Sequence, residues 1–276
     1  MFEMKIATLF LVTLPLFLTG CSRMDIAYSF APRFAANQLE DAFDLSSSRY
    51  HKIKDSIEKD LKANKSEIKT GLVGIIDSLA KVADNKNLSP DEIKGFFSTG
   101  KDLQVRFVAL LKPSFEEVLG SMSRNELENL KTYSDEKFKK SEEKLGDVEK
   151  FKKVSLEQFE KHMDTFFDTV TDEQRRLYSG FLTENFEYYK YQLGVRRNFV
   201  ARFDSLFETK PELIDYVLKY YSGDSTAKSD EYRKKQEVYF QNVSNVAGSI
   251  WQSLTDRQRT EFKKTLANMR SDLSSL

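Results

Sequence analysis

The stretch VTDEQRRLYSGFLTENFEYYKYQLGVRRNFVARFDSLF, residues 170–207, decides the fold class. It opens with a capping box, in which the Thr171 hydroxyl accepts a hydrogen bond from the third helical amide and Gln174 reaches back to the amide of Thr171. Behind this start, apolar residues recur at helical spacing and form a broad face. The pattern predicts one long helix from Thr171 to about Phe207, with Gly194 as the place where it would kink.

The same start signal recurs along the chain. Capping boxes are predicted at Ser89 with Glu92, at Ser123 with Glu126 and at Thr255 with Gln258, with a variant of the device at Thr209-Lys210-Pro211-Glu212. Helical periodicity predicts further helices over residues 46–83, 91–120, 123–145, 155–168, 211–221, 230–252 and 255–273. Pro113 should break or bend the second of these, and residues 222–226 are typical of a polar loop. With only 11 Gly and 5 Pro, we expect an all-α fold, an elongated bundle of about eight helices.

The N-terminus carries a separate signal, Leu18-Thr19-Gly20-Cys21, at the end of a short apolar run. Lys5 supplies a positive charge, and residues 6–18 supply an apolar segment of about thirteen residues, which suits a signal peptide and is too short to span a bilayer. The four residues resemble a lipobox, the processing site of bacterial lipoproteins. This resemblance implies cleavage before Cys21 and attachment of acyl chains, palmitate among them, to that cysteine. Ser22 at the next position, in place of Asp, implies sorting to the outer membrane of a Gram-negative cell, where the domain would face the periplasm.

These signals divide the chain into three parts. Residues 1–20 are predicted to be removed, and residues 21–45 to form a lipidated cysteine with a short tether whose apolar side chains pack against the body. Residues 46–276 are predicted to form the helical domain. Residues 131–153 are dense in Lys and Glu, which predicts a solvated helix or, alternatively, a partner-binding arm. The same stretch separates two groups of capping boxes and is the best candidate for a subdomain junction.

Composition excludes several classes of function. The chain has 43 basic and 43 acidic residues, so no charge bias favours nucleic acid as a partner. Cys21 is the only cysteine, and once it is acylated no thiol is left for a disulfide, a cysteine metal site or cysteine catalysis. Phe (22) and Tyr (12) are abundant, so the stability should come from an aromatic-rich core.

Two sequence features could indicate nucleotide binding or metal binding, but the residues around them do not fit either function. Residues 95–101 match most of a phosphate-binding loop, but Asp102 stands where Ser or Thr would hold Mg²⁺, and no apolar strand precedes the motif. We therefore expect a loop or a bent helix there, and no nucleotide. The only histidines, His51 and His162, are far apart in sequence, and His162 lacks the Glu-x-x-His spacing of carboxylate-bridged metal sites. We assign no catalytic residue, no metal ligand and no cofactor.

One cluster of side chains is a candidate binding site for a ligand or partner. Its members are Tyr188, Tyr189, Tyr191, Arg196, Arg197 and Arg202. Guanidinium forks and aromatic faces together suit an anionic glycan or a lipid head group. The alternative, which we favour, is that the arginines pair with Glu184, Glu187 or acids of neighbouring helices across a bundle interface.

Several runs of the chain match a known family. They are residues 21–28, 43–45, 110–113, 122–127 and 170–174, with Arg197 following in the same helix. In these runs the mature chain resembles a family of Gram-negative lipoproteins of unknown function, over most of its length up to about Phe207. The resemblance implies an all-helical periplasmic domain with no assigned activity. A second resemblance, to the Spy-type periplasmic chaperones, rests on Leu254-Thr255-Asp256-Arg257-Gln258 and on the near match at residues 170–174.

The sequence favours a non-enzymatic binding or scaffolding module that is anchored in the cell envelope. The expected partners are outer-membrane lipid, through the acylated Cys21, and an unidentified envelope protein or glycan, with neither nucleic acid nor nucleotide. Two alternatives stay open. One is an envelope hydrolase that cleaves peptidoglycan with paired carboxylates. The other is a Spy-like chaperone, which the repeated helix starts suggest.

Overall fold

A computed structural model describes residues 24–224 and 228–275, and these residues form twelve α-helices and no strand. The helices are α1 (Met24–Phe43), α2 (Ser47–Ala63), α3 (Lys65–Val82), α4 (Pro90–Leu110), α5 (Lys112–Gly120), α6 (Arg124–Leu145), α7 (Val148–Phe167), α8 (Asp172–Glu184), α9 (Phe186–Ser205), α10 (Lys210–Ser222), α11 (Asp230–Gln252) and α12 (Asp256–Ser275). The predicted all-α class is confirmed. The predicted count of about eight is wrong, because three of the predicted helices are each divided in two and the predicted tether is itself a helix.

Each division falls at one residue that leaves the helical conformation. Asn64 separates α2 from α3 (φ −109°, ψ 13°), Leu111 separates α4 from α5 (φ −97°, ψ 7°) and Asn185 separates α8 from α9 (φ −104°, ψ 11°). Both asparagines donate their side-chain amide to the carbonyl four residues back, at 2.8 Å, which competes with continuation of the helix. Leu111 closely precedes Pro113, which lies in the first turn of α5 where its missing N–H is harmless. Gly194, where we expected the kink, lies instead within α9.

The segment predicted as a tether is mostly helix α1. It packs against α2 and α6 and buries Leu39 and Phe43 in the core. The predicted signal peptide (1–20), Cys21 and Ser22 lie outside the described residues, so their processing stays a prediction. Across residues 24–224 and 228–275, no helix is both long and apolar enough to cross a membrane.

Three further segments singled out in the sequence have a clear place. Residues 95–101, which match most of a phosphate-binding loop in sequence, lie inside helix α4 and form no loop. Residues 131–153 cover most of α6, a turn at Gly146 and the start of α7. The predicted polar loop begins where α10 ends, at Gly223, whose φ of 74° is a left-handed conformation that favours glycine.

Four of the five predicted helix starts form capping boxes, with first residues Ser89, Ser123, Thr171 and Thr255. In each, the hydroxyl accepts a bond from the amide three residues on at 3.2–3.3 Å, and the Glu or Gln oxygen accepts the return bond at 2.7–2.9 Å. Thr209 is the exception, because its hydroxyl donates to the carbonyl of Leu206 at 3.1 Å and caps no amide of α10.

Two of these capping boxes meet in the core through Gln174 and Gln258. Both side chains are fully buried and exchange two amide hydrogen bonds, from Gln174 Nε2 to Gln258 Oε1 at 3.1 Å and from Gln258 Nε2 to Gln174 Oε1 at 3.0 Å. Gln258 Nε2 also donates to the carbonyl of Thr169 at 2.9 Å. This glutamine pair joins the start of α8 to the start of α12, and each of its side-chain oxygens and nitrogens has a partner.

Helices α6 and α9 lie antiparallel, in a register that ion pairs mark. Lys131 near the start of α6 is 3.5 Å from Asp204 at the end of α9, and Glu142 near the end of α6 is 2.7 Å from Arg197 in the middle of α9. Around this pair, α6, α1, α2, α5, α10 and α9 each pack against the next and form a closed ring. The candidate site lies inside this ring.

Candidate functional site

The predicted tyrosines of α9 interact mainly with α11. The Tyr188 ring stacks on Tyr239 with centroids 4.2 Å apart, and the Tyr189 hydroxyl lies 3.1 Å from the Tyr239 hydroxyl. Burial raises the pKa of both Tyr189 and Tyr239 above the ordinary value. Tyr191 lies beneath Lys235, whose Nζ is 4.9 Å from the ring centroid. These rings form part of an aromatic cluster between helices.

The three predicted arginines have three different surroundings. Arg197 Nη2 donates to Glu142 Oε1 at 2.7 Å, so its charge is matched by an acid of α6. Arg202 is exposed, and its Nη1 lies 3.5 Å from Ser205 Oγ. Arg196 has no ion-pair partner among the described residues and lines a cavity between α6 and α9. The structure therefore separates the predicted arginines from the tyrosines, and it leaves Arg196 alone beside an empty space.

The cavity lies at the centre of the ring of six helices and has a volume of about 90 Å³. Its walls are mostly apolar and include the deeply buried side chains of Phe43, Ile57, Leu119 and Phe203. A cavity with mostly apolar walls accepts small apolar molecules. The site can therefore hold a hydrocarbon group.

Two helix faces bring polar atoms into this apolar space. On α6, Leu130, Ser134 and Phe138 follow one another at intervals of four and share one face, which lines the cavity. On α9, Arg196 and Phe203 line the same cavity. The antiparallel register of the two helices places Ser134 beside the part of α9 between Arg196 and Phe203.

Ser134 Oγ and Arg196 Nε are both buried, and neither has a hydrogen-bond partner in the part of the chain that the structure describes. Ser134 is only 1% exposed. A buried helical serine usually donates to the carbonyl four residues back, as Ser244 does at 2.8 Å. A buried donor without a partner costs about 1–3 kcal/mol, so a ligand with an acceptor atom would recover that energy.

Ser114 also lines the cavity, but in contrast to Ser134 its hydroxyl donates a hydrogen bond within the protein. Its hydroxyl donates to Asp60 Oδ2 at 2.6 Å, and its backbone amide donates to the same oxygen at 2.9 Å. Asp60 is 6% exposed and satisfies an amide in the first turn of α5 from the neighbouring helix α2. Asp60 and Ser114 therefore hold the cavity wall in place and are not available to a ligand.

Sequence reasoning found Arg196 and missed Ser134. The sequence offered one signal for Ser134. It stands between Leu130 and Phe138, four residues from each, and is the one polar member of this series. That signal is weak, because a serine on a helix is common and its side chain usually bonds to its own backbone. Only the neighbouring helix shows that Ser134 faces a cavity.

The two histidines lie away from the cavity wall. His51 on α2 and His162 on α7 are both exposed. Within the described ranges, no group of three or more His, Cys, Asp or Glu side chains could hold a metal ion.

Comparisons with protein-family models, with curated proteins and with solved structures find no match to this chain.

Proposed function

We propose that the protein is a lipid-anchored binding protein of the bacterial cell envelope, which holds a small apolar ligand in the cavity between α6 and α9. The observation that carries this proposal is the cavity of about 90 Å³, where the buried Ser134 hydroxyl also has no partner among the described residues. The acylated Cys21 would hold the protein at the periplasmic face of the outer membrane, close to a source of apolar molecules.

The energetics support a binding role for this cavity. An empty cavity of this size costs about 2 kcal/mol at roughly 24 cal/mol per Å³. The unpaired hydroxyl of Ser134 adds about 1–3 kcal/mol. A domain is stable by only about 5–15 kcal/mol in total. Filling a cavity commonly stabilises a protein, and a ligand that fills this space and accepts a hydrogen bond from Ser134 would recover part of both costs.

The position of α1 supports the proposed anchoring. Its N-terminal residue, Met24, follows closely on Cys21, and the same helix contributes Leu39 and Phe43 to the cavity wall. A cysteine acylated at this place would attach the membrane anchor to one of the helices that enclose the ligand. This arrangement suits transfer or storage of a molecule taken from the membrane.

Binding of n-octanol to the purified full-length mature protein tests the cavity. We expect saturable binding by calorimetry, with a stoichiometry of about one because the volume of the cavity suits one molecule of this size. Val200 lines the cavity and is half-buried, so Val200→Phe should block the ligand. Val238 on α11 is 62% exposed and does not line the cavity, and Val238→Phe is the matched control that should bind like the wild type.

Ala42 offers a second test from inside the cavity. Ala42→Leu should fill part of the space, abolish octanol binding and leave the stability unchanged or higher. Wild-type protein that binds no octanol would overturn the proposed function.

The anchor is tested separately by Cys21→Ala. We expect this variant to lose incorporation of labelled palmitate and to leave the membrane fraction, or to stay unprocessed. A variant that is labelled and fractionates like the wild type would contradict lipidation at Cys21.

A further inference from the structure

We infer that the ligand of this cavity is a single-chain fatty acid whose carboxylate is held by Arg196 and Ser134 and whose hydrocarbon end lies among the buried apolar side chains. The inference rests on the proposed function, since it names the chemistry of the molecule that the cavity would bind. Three properties of the site carry it: a gradient of burial along the cavity, an unmatched positive charge, and a small volume.

The gradient of burial gives the cavity a direction. Ile57, Phe43 and Leu119 are 1%, 3% and 4% exposed, so the part of the cavity that they line is closed to water. Arg196 and Gln38 are only half-buried and line the side that approaches solvent. A molecule with an apolar tail and a polar head fits this arrangement in one orientation, with its head at the arginine.

The charge at the head position selects an anion. Arg196 is permanently positive and has no carboxylate partner among the described residues, whereas its neighbour Arg197 is paired with Glu142. The other charged groups at this end include Lys137, whose Nζ lies 4.7 Å from the ring centroid of Tyr133. They also include the acids Glu142, which is paired with Arg197, and Asp41, which helps burial to raise the pKa of Tyr133. A guanidinium prefers a carboxylate, because two parallel N–H bonds match its two oxygens.

Ser134 completes the head site from the opposite helix. Its unpartnered Oγ is buried in the wall of the same cavity, and the ion pairs between α6 and α9 place it opposite the part of α9 between Arg196 and Phe203. A hydroxyl can donate one hydrogen bond to a carboxylate oxygen while the guanidinium donates to the same group. The bound carboxylate would therefore satisfy both donors that the unliganded protein leaves unpaired.

The volume limits the length of the buried chain. A water molecule needs about 10–15 Å³ of such space, and a methylene group is of similar size. A cavity of about 90 Å³ therefore takes roughly six to nine carbons. We expect affinity to rise along a series of straight-chain fatty acids up to about this length and to level off when further carbons must stay outside.

The test compares octanoate with n-octanol and octylamine, which have the same chain and different heads. Wild-type protein should bind octanoate about 10- to 100-fold more tightly than octanol, as expected for hydrogen bonds to a charged group, and octylamine most weakly. Arg196→Leu should remove this preference while octanol still binds. Arg197→Leu is the matched control and should keep the preference, because Arg197 does not line the cavity.

Two further variants protect the test against a folding defect at Arg196. Arg196→Met keeps the apolar stem of the side chain, and Arg196→Lys keeps the charge, so the preference for octanoate should vanish in the first and persist in part in the second. Ser134→Ala should weaken octanoate binding severalfold. Circular dichroism of each variant establishes that it is folded before binding is measured.

The possible results separate this inference from the proposed function. Octanol binding without any preference for octanoate, or a preference that survives Arg196→Leu and Arg196→Met, would overturn the fatty-acid inference and leave the binding function standing. Failure of octanol to bind the wild type would overturn the proposed function and, with it, this inference.

Discussion

The glutamine pair and the cavity are two places where this protein buries polar groups, and their surroundings are opposite. Gln174 and Gln258 are completely buried, and every oxygen and nitrogen of their side chains is hydrogen-bonded. Ser134 and Arg196 each bury a donor that has no partner in the described chain, beside an empty space. The first arrangement is complete without any other molecule, whereas the second becomes complete only when an acceptor enters.

This difference separates structural polar groups from binding groups. A buried amide that exchanges two hydrogen bonds with another amide fixes how two helix starts meet, because no other pairing satisfies both. A buried hydroxyl and a guanidinium N–H beside a cavity add nothing to the packing of the unliganded protein and cost free energy. Four predictions test this difference, in order from the largest expected effect to the smallest.

The largest effect is expected from Gln258→Glu. A glutamate keeps the acceptor for Thr255 but loses the donor to Gln174 and to the Thr169 carbonyl, and it buries a negative charge against two acceptors. We expect a loss of about 3–5 kcal/mol in the free energy of unfolding, measured by urea denaturation. Burial keeps the folded-state pKa of this glutamate above its unfolded value, so the deficit relative to the wild type should shrink as the pH falls towards about 4, where the side chain is protonated and regains a donor, and should level off below that pH.

The matched control is Glu92→Gln in the exposed capping box of α4. Glu92 accepts bonds only from Ser89, and these bonds hold the pKa of its carboxyl below the usual value. A glutamine oxygen can accept the same backbone bond, so the loss should be a small fraction of that in Gln258→Glu. Equal losses at the two sites would show that the glutamine pair adds nothing to the ordinary capping effect.

These same residues show how much of the structure could be predicted from the sequence. The Thr-x-x-Gln and Ser-x-x-Glu spacings predicted four helix starts correctly, because a capping box is a local device whose partners lie within four residues. They did not predict that Gln174 and Gln258 meet, since that contact joins residues 84 positions apart. The breaks at Asn64 and Asn185 were missed because an asparagine within an apolar pattern is compatible with both a helix and a cap.

The candidate site was predicted only in part for the same reason. Arg196 was singled out, but the tyrosines named with it pack against α11. Residues close in sequence on one helix point in different directions, and only their neighbours decide which of them share a site. The cavity requires six helices to close around it, and no local pattern contains that information.

The second prediction compares two arginines that are both partly buried. Arg49 donates to the Val118 carbonyl at 2.7 Å, to Glu117 at 3.1 Å and to Glu126 at 3.3 Å, so it joins the end of α5 to the start of α6. Arg49→Leu should cost roughly 3 kcal/mol of unfolding free energy, because it leaves carboxylates and a carbonyl without their donor. Arg196→Leu should change the stability of the unliganded protein by less than about 1 kcal/mol. Similar losses in both variants would contradict the distinction between paired and unpaired groups.

The third prediction concerns Tyr178, which lies on the same helix, α8, as Gln174. Burial raises the pKa of Tyr178 to about 12, with a smaller contribution from Tyr239. Because this folded-state pKa lies above the unfolded value near 10, the stability is intact below pH 10 and falls as the pH rises towards 12. Tyr178→Phe should flatten the pH dependence of the urea midpoint between these values. A midpoint that does not change with pH over this range would contradict the burial of a neutral tyrosine.

The smallest effect is expected from Ser134→Ala. Here the informative result is the sign of the change in the free energy of unfolding. The change removes a buried hydroxyl that has no partner, so the unliganded protein should become more stable by up to about 1 kcal/mol, or stay unchanged. Ser244→Ala is the matched control, because Ser244 is equally buried on a helix but donates to the Phe240 carbonyl at 2.8 Å, and its loss should lower the stability by about 0.5–1 kcal/mol. Opposite signs in these two variants, measured by urea denaturation without ligand, would identify Ser134 as a group that does not contribute to folding. If Ser134→Ala lowers the stability as much as Ser244→Ala does, the hydroxyl already has a partner in the unliganded protein, and the cavity has no free donor at that position.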